Sequence, residues 1–309
     1  MTEDQGVAVS VVIPTRARSH LLERALRSVM AQTFADWEAV VVIDGADPAS
    51  EGLIGRLRDS RLRSVTNARR MGGAEARNVG VRAARGDWIA LLDDDDEWMP
   101  DKLAKQLATL EVTDSGTIGF TAEIVRTGKA DHRWPHRGPR GGEHVSDYLF
   151  SRSGLKPGGP MHTSTLVAPR DLFMRVPFDP SLRRFQDSDW VLRAVHAGAT
   201  FTYCPAVLTI RHEDDGTGSI HEDTGKDWRL AIDFVRSRRH LMTRNAVAWF
   251  VLVRGGGASS AAGDLRGAWQ VLAASFQLGR PSPSAVATFL ARWLIPPRWR
   301  QRLRSWQAR

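Results

Sequence analysis

Apolar runs alternate with amphipathic segments over the first 110 residues of the chain. Three runs, VSVVI at 9–13, WEAVVVI at 37–43 and WIALL at 88–92, are nearly continuous in apolar residues. Such strands are buried on both faces, as in parallel sheets covered by helices. The pattern therefore predicts an α/β fold with a mostly parallel, Rossmann-like sheet that is flanked by helices.

The segments between these runs have helical spacing and recognisable ends. A first helix is predicted with Ser19 as its N-cap, and a second opens at Gly72-Gly73 and runs to Ala84. Pro100 suits the first turn of a helix through Leu110. A short helix at 50–58 and a weaker strand at 62–67 complete this half.

The pattern becomes mixed after residue 110. A loop is predicted at 128–142, which is rich in Gly, Pro, Arg and His, and a helix near 187–197. Strands are predicted at 120–125, 163–168, 200–204 and 207–212.

From about residue 226 the chain has a helical pattern. We therefore expect a domain over 1–225, with halves at 7–110 and 111–225, followed by a helical C-terminal region over 226–309.

Composition indicates an ordinary globular protein, with 42% hydrophobic and 25% charged residues. The single cysteine, Cys204, excludes an internal disulfide and indicates a reducing compartment. The first ten residues lack the pattern of a signal peptide, and no apolar run approaches the length of about 18 residues that a spanning helix needs. A cytoplasmic location is expected.

The formal net charge of +8 is unevenly distributed. Residues 280–309 hold seven arginines and no lysine or acid, and 291–309 also contain three tryptophans. Three interpretations stay open: a solvated or packed end, contact with an anionic substrate, and peripheral contact with an anionic membrane. No nucleic-acid reader motif accompanies the basic residues, so no nucleic-acid binding is expected.

Polar residues follow three of the predicted strands. They are Pro14-Thr15-Arg16, Asp44-Gly45 and the run of four aspartates Asp93–Asp96. Open α/β sheets bind ligands beyond the carboxyl ends of their strands, so these residues are expected at one site. Adjacent carboxylates repel, so the run requires a metal, an arginine or water. Some of its members could instead cap the helix near Pro100.

Several phosphate-binding patterns are absent from this site. The loop after the first strand reads IPTRARS, which matches neither the dinucleotide fingerprint nor a Walker loop. The aspartate run also lacks the central glycine and distal glutamate of an EF-hand. The remaining interpretation is that the carboxylates hold a hard divalent cation, which in turn holds phosphates.

Residues 9–48 and 72–107, with the motifs IPTRARS, VVIDGADP, EARNVG and LLDDDDEW, resemble family 2 glycosyltransferases of the GT-A fold. The resemblance resumes at FQDSDWVLRAVHAG, 185–198, and at TIRHEDDGTGS, 209–219. It implies inverting transfer of a sugar from a nucleotide-diphosphate sugar to an acceptor hydroxyl, with Mg²⁺ or Mn²⁺. The family's usual acceptors are lipid-linked or cell-surface glycans.

The resemblance also implies roles for single residues in catalysis and metal binding. Asp95 matches the direct metal ligand, and Asp93 and Asp94 match contacts to the ribose or to the water molecules of the metal. Asp187 matches the catalytic base, although Gln186 stands where the family commonly has a glutamate. Asp189 is its near rival.

Five further residues match the nucleotide pocket or the metal. Pro14 and Thr15 line the pocket, Asp44 contacts the nucleobase, and Arg77 lies near the base and the diphosphate. His212 resembles a histidine that approaches the metal from a loop. As alternatives, Asp44 could be a turn residue, Arg77 a surface ion-pair partner and His212 an ordinary loop residue.

Two other functions remain open. One is a non-catalytic module of the same fold that binds a nucleotide-sugar or glycan. The other is a sugar nucleotidyltransferase, which also uses a metal and clustered carboxylates but is expected to have a glycine-rich phosphate loop.

Overall fold

The computed structural model describes residues 7–110, 116–127, 130–152, 157–213 and 226–294. The chain forms two compact units. The first comprises Met1–Gly138 and Met161–Asp214, and the second comprises Pro139–Pro160 and Asp215–Arg309. Residues 139–160 thus group with the C-terminal region, while the domain boundary at residue 225 stays a prediction.

Within the described residues, the first unit holds a single nine-stranded sheet. The strands are β1 Val9–Thr15, β2 Trp37–Ile43, β3 Leu62–Thr66, β4 Trp88–Leu91, β5 Glu97–Trp98, β6 Thr117–Thr127, β7 Ala130–Trp134, β8 Val167–Pro169 and β9 Thr200–His212. Their order is β3-β2-β1-β4-β8-β6-β9-β5, with β7 paired to β6. Strands β1 to β4 are parallel to one another, and β8 is antiparallel to β4. The predicted α/β class is confirmed.

Helices accompany the sheet and build the second unit. The first unit contains α1 Ser19–Met30, α2 Pro48–Leu57, α3 Gly73–Ala83, α4 Lys102–Leu107, α6 Arg170–Arg175 and α7 Gln186–His196. The second contains α5 Val145–Phe150, α8 Arg229–Arg238, α9 Arg244–Phe250, α10 Gly256–Ala262, α11 Leu265–Leu278 and α12 Pro283–Leu294. A π-helical turn, Val251–Gly255, joins α9 to α10.

Helices pack on both faces of the parallel strands. On one face, β1 and β2 pack with the apolar stripe of α1, which includes Leu22, Leu26 and Val29. On the other face α3 crosses β1 so closely that a side chain on Gly80 would collide with Val12. This close approach fixes α3, and with it Arg77, against the sheet.

The predicted loop at 128–142 is wrong in part, because Ala130–Trp134 form β7. Its residues pair antiparallel with β6, from Thr127↔Ala130 to Glu123↔Trp134. The hairpin pairing outweighs a composition that favours a loop.

The predicted strands at 200–204 and 207–212 form one strand, β9. Its register with β6 passes from Thr121↔Cys204 to Ala122↔Val207. Pro205 and Ala206 lie in this irregularity, where a proline costs no ladder hydrogen bond.

The structure differs from three smaller predictions at the ends of helices and strands. Residues 163–165 form a 3₁₀ turn, so the strand predicted at 163–168 begins only at Val167 and ends at Pro169. Ser19 is the first residue of α1 and no cap, because the Arg18 carbonyl already accepts from Leu22 N–H at 3.0 Å. The helix predicted from Pro100 is shorter, spanning Lys102–Leu107.

The C-terminal region is helical through Leu294, as predicted. None of the described helices is both long and apolar enough to cross a membrane. Most of the predicted membrane-contacting tail, residues 295–309, lies outside the described part of the chain.

Candidate active site

The carboxyl ends of β1, β2 and β4 meet at one edge of the sheet. Thr15 hydroxyl donates to Asp94 Oδ2 at 2.7 Å, and Asp44 N–H donates to the Thr15 carbonyl at 2.9 Å. Pro14 lies half-buried beside Thr15 in β1. The structure therefore brings these strand ends together, as parallel strand order requires.

Alternate members of the aspartate run have opposite surroundings. The side chains of Asp93 and Asp95 are 31% and 39% exposed. By contrast, Asp94 and Asp96 are only 1% and 3% exposed. Two carboxylates are thus open to a ligand, and two are enclosed by the protein.

Arginines compensate the negative charge of the run. Arg18 contacts Asp94 Oδ1 at 2.5 Å and Asp95 Oδ2 at 3.0 Å. Arg24 donates to the Asp95 carbonyl oxygen at 2.5 Å. Sequence reasoning missed both arginines as site residues, although Arg18 belongs to the IPTRARS loop at the neighbouring strand end.

Burial changes the acidity of the two enclosed carboxyl groups. It raises the pKa of Asp94 to about 7, even though Arg18 and Thr15 oppose the shift. Burial and the neighbouring Asp95 and Asp93 raise the pKa of Asp96 well above its ordinary value. The Ser164 hydroxyl donates to Asp96 at 2.5 Å and accepts from Asp93 N–H at 3.1 Å. Ser164 therefore joins an enclosed and an open member of the run.

Arg77 on α3 connects the run to the start of α7. Its side chain is 10% exposed, and its guanidinium contacts Asp93 Oδ1 at 2.5 Å and Gln186 Oε1 at 2.9 Å. The amide oxygen of Gln186 accepts this bond where a family glutamate would carry a charge. This chain of contacts brings α7, and the Asp187 that follows Gln186, to the aspartate run.

Asp187 and its rival Asp189 have different environments. Asp187 is half-buried, and its Oδ1 accepts from Ser188 N–H at 2.7 Å. Asp189 is fully buried and contacts Arg193 at 2.7 Å within the helix. Asp187 therefore has the accessibility that a catalytic base needs, and Asp189 has a structural partner.

Asp44 holds the loop that precedes α3. Its carboxylate accepts from Asn67 Nδ2 at 3.0 Å and from the N–H groups of Met71 and Gly72 at 2.7 and 2.8 Å. Gly72 has a φ of 89°, which a residue with a side chain rarely adopts. The nucleobase contact of Asp44 stays a prediction.

His212 ends β9 beside the run. Its Nε2 lies 2.6 Å from Oε1 of Glu97, the residue that follows the four aspartates. The antiparallel pairing of β5 with β9 produces this proximity. A metal-ligand role for His212 stays a prediction.

A second charged network lies on β6 and β9. Glu123 is 1% exposed, contacts His162 Nδ1 and lies 3.4 Å from Arg211 Nε. Burial alone would raise the pKa of Glu123, but His162 and Arg211 hold it below its usual value. His162 is two residues from Ser164, so this network adjoins the aspartate run. Nothing in the sequence indicated this network, because the pairing of β6 with β9 brings together Glu123 and Arg211, which are 88 positions apart.

The open carboxylates of the run suit a hard divalent cation. Mg²⁺ and Mn²⁺ prefer oxygen ligands, and Mg²⁺ is commonly held by one or two carboxylates and completed by substrate phosphates and water. Asp95 and Asp93 supply such oxygens. In the described part of the chain, no three His, Cys, Asp or Glu side chains converge as a larger ligand set. The two carboxylates match the number that commonly holds such a cation together with a phosphorylated substrate.

Comparisons with known proteins agree with this geometry. The model of the family "Glycosyl transferase family 2" matches residues 10–170. The amylovoran biosynthesis glycosyltransferase AmsB of Erwinia amylovora is 28% identical over 252 residues, 79% of this chain and 81% of that protein. The UDP-Glc:alpha-D-GlcNAc-diphosphoundecaprenol beta-1,3-glucosyltransferase WfgD of Escherichia coli is 34% identical over 102 residues, 33% of this chain and 40% of that protein.

Solved structures share the fold. TarS 1–349 of S. aureus, in complex with UDP-GlcNAc, superposes with a TM-score of 0.62 at 16% identity, over 94% of this chain and 82% of that one. The mannosyltransferase PcManGT of Pyrobaculum calidifontis, with GDP-Man and Mn²⁺, has a TM-score of 0.60 at 20% identity, over 95% and 82%. The chain belongs to glycosyl transferase family 2 and has a GT-A-like fold.

Proposed function

We propose that this chain is a metal-dependent, inverting glycosyltransferase. In the reaction, a sugar moves from a nucleotide-diphosphate sugar to an acceptor hydroxyl. One observation carries the proposal: the path Asp93–Arg77–Gln186 links the open carboxylates at the sheet edge to the start of α7, where Asp187 lies. A candidate phosphate-and-metal site and a candidate base thus belong to one connected arrangement.

The donor's diphosphate is an anion, and the site offers matched cations. Arg18 and Arg77 are held beside the aspartates and can turn N–H groups toward phosphate oxygens. A divalent cation on Asp95, with Asp93 beside it, would stabilise the charge that develops on the leaving nucleoside diphosphate. The PcManGT structure with GDP-Man and Mn²⁺ supports this assignment by similarity of fold.

Asp187 is proposed as the general base. A hydroxyl is a poor nucleophile, and a carboxylate within hydrogen-bond reach can accept its proton as the new bond forms. The acceptor oxygen attacks the anomeric carbon, the bond to the diphosphate oxygen breaks, and the proton passes to Asp187. One displacement of this kind inverts the anomeric configuration without a covalent intermediate.

Thr15, Pro14, Asp44 and Asp94 form the proposed nucleotide pocket. The Asp44 carboxylate fixes the loop 67–72, and Thr15 positions Asp94, so these residues shape the pocket through the chain's own contacts. His212 is proposed to approach the cation, held for this by Glu97.

The proposed acceptor is a lipid-linked or other glycan hydroxyl in polysaccharide biosynthesis. The names of AmsB and WfgD support this class of acceptor, the second through its diphosphoundecaprenol-linked substrate. The reaction is proposed at the cytoplasmic face of a membrane, with the arginine-rich tail in peripheral contact.

The test is release of nucleoside diphosphate from a panel of sugar-nucleotides, with Mn²⁺ or with EDTA. Water serves as a slow surrogate acceptor. We expect release with one donor and its loss on chelation. Metal-dependent binding of a donor without release, in the presence of glycan acceptors, would favour the binding module. Formation of a sugar-nucleotide from a sugar phosphate and a nucleoside triphosphate would identify a nucleotidyltransferase instead.

A further inference from the structure

Helix α11 of the second unit has two apolar faces. One is buried in the unit and consists of Gly267, Ala268, Val271, Ala274 and Ser275. The other carries Leu265, Trp269 and Phe276, which are 67%, 73% and 58% exposed. Arg266 is the single charged residue between Leu265 and Leu278.

The three exposed side chains form one stripe. At 3.6 residues per turn, positions separated by four and eleven residues fall within about 40° of one another around a helix. Leu272, half-buried, lies between Trp269 and Phe276 on the same side. Single exposed apolar residues are ordinary, but contiguous ones that include aromatic rings mark an interaction surface. We call Leu265, Trp269 and Phe276 the α11 stripe.

Helix α12 repeats this arrangement on a smaller scale. Leu290 and Leu294 are 44% and 79% exposed, while Ala285 and Phe289 on the other side are buried. The two consecutive helices thus both present apolar side chains outward, and α12 leads directly into the arginine-rich tail.

The charge of this region identifies the partner. Residues 265–309 contain eight arginines and no lysine, aspartate or glutamate. The preceding 264 residues hold the other 35 basic residues and all 35 acidic residues, so they are formally neutral and the last 45 carry the whole net charge of +8. Exposed Trp, Phe and Leu, in a stretch of sequence whose charged residues are all arginine, match the two layers of an anionic lipid surface, acyl chains beneath phosphate headgroups.

We propose that the α11 stripe inserts into the interface of an anionic phospholipid membrane, while the arginines of 265–309 bind its headgroups. The proposal deepens the proposed function and rests on it in one respect. A lipid-linked acceptor lies at a membrane, which gives the enzyme a reason to bind there. The exposure of the stripe and the charge segregation are independent of catalysis.

The test is co-sedimentation of the full chain with vesicles, without any sugar-nucleotide. Wild type is expected to bind vesicles of phosphatidylcholine and phosphatidylglycerol, to release them at high salt, and to bind phosphatidylcholine alone weakly. The variant W269S/F276S is expected to bind the anionic vesicles at least about tenfold more weakly. The variant R300Q/R302Q/R304Q is expected to lose most of the salt-sensitive binding.

A matched control uses Met174 on α6 of the first unit, which is also 45% exposed. M174S is expected to bind vesicles as wild type does. An unchanged thermal midpoint of W269S/F276S shows that the variant is folded. Because vesicle binding is measured without a sugar-nucleotide, the binding result can be interpreted even if the protein proves to have no transferase activity.

Three results would overturn the proposal. The first is a wild-type chain that does not bind anionic vesicles. The second is a folded W269S/F276S variant that binds them as tightly as M174S does. The third is a lipid-free wild type that sediments as a dimer while W269S/F276S sediments as a monomer, since the stripe would then be an interface with a second copy of the chain.

Discussion

The open and the enclosed aspartates alternate along one four-residue run, yet they differ in exposure and in hydrogen-bond partners. Asp93 and Asp95 are about a third exposed and contact Arg77 and Arg18. Asp94 and Asp96 are buried and accept from the hydroxyls of Thr15 and Ser164. The fold thus divides a cluster of like charges into carboxylates that are open to a ligand and carboxylates that are enclosed by their own hydrogen-bond partners.

The same division separates Asp187 from Asp189 on α7. Asp187 is half-buried with a backbone N–H as partner, and Asp189 is enclosed with Arg193. Substitution of an open carboxylate is therefore expected to lower activity. Substitution of an enclosed one is expected to act on stability, by an amount that depends on the charge and partners of that group. The four substitutions below test this expectation.

The largest effect is expected for Asp187→Asn. The amide keeps the size of the side chain but cannot accept the acceptor's proton, so turnover should fall about 10²–10⁴-fold. The measurement is the kcat for nucleoside diphosphate release, with the thermal midpoint as a fold check. The control is Asp189→Asn, which should lower the midpoint because it leaves Arg193 without its carboxylate partner. Activity retained in Asp187→Asn would remove Asp187 from the mechanism.

Asp95→Asn is expected to be next in size. A carboxylate ligand is replaced by a weaker amide oxygen, so activity should fall about 10²-fold or more, with a higher Mn²⁺ concentration needed for half-maximal rate. Stability should change little, because Asp95 is 39% exposed. A Mn²⁺ titration of initial rates checks this. A wild-type response to Mn²⁺ would assign the metal to another residue.

Asp94→Asn should change the pH dependence of stability. The pKa of Asp94 is raised from its model-compound value of 3.8 to about 7. Between these values the folded chain keeps a proton that the unfolded chain releases, so the free energy of unfolding contributed by this group falls as pH rises. The variant should lose this slope, by about 1–4 kcal/mol between pH 4 and pH 7. Urea denaturation at several pH values measures it, and an identical slope in both proteins would contradict the assignment.

The smallest effect is expected for Asp96→Asn. Burial raises the pKa of Asp96 well above its usual value and so favours the neutral carboxyl group, and an amide oxygen can still accept from the Ser164 hydroxyl. The free energy of unfolding should change by less than about 1 kcal/mol, and the rate should remain close to that of wild type. A loss as large as that of Asp95→Asn would show that Asp96 acts as a charged site residue.

Much of the fold could be predicted from the sequence. The apolar runs of β1, β2 and β4 act through burial on both faces, which any parallel arrangement requires, so their positions were right to within a residue or two. Among the strands and loops, the errors fell on β7, β9 and the 163–165 turn. For β7 and β9, pairing with β6 and the irregularity at Pro205 outweigh local composition.

The sequence by itself determined which edge of the sheet carries the candidate site, because parallel strands end on the same side. Thr15 ends β1, and Asp44 and the aspartate run follow β2 and β4. Only the tertiary structure decided which charges meet there. Arg18 reaches Asp94 across 76 residues, and Arg77 reaches Gln186 across 109. The chain has 43 basic residues that could neutralise a carboxylate, and the packing of the loop after β1 and of α3 selects Arg18 and Arg77 among them. The same packing encloses Asp94 and leaves Asp95 open, since burial depends on neighbours that are remote in the chain.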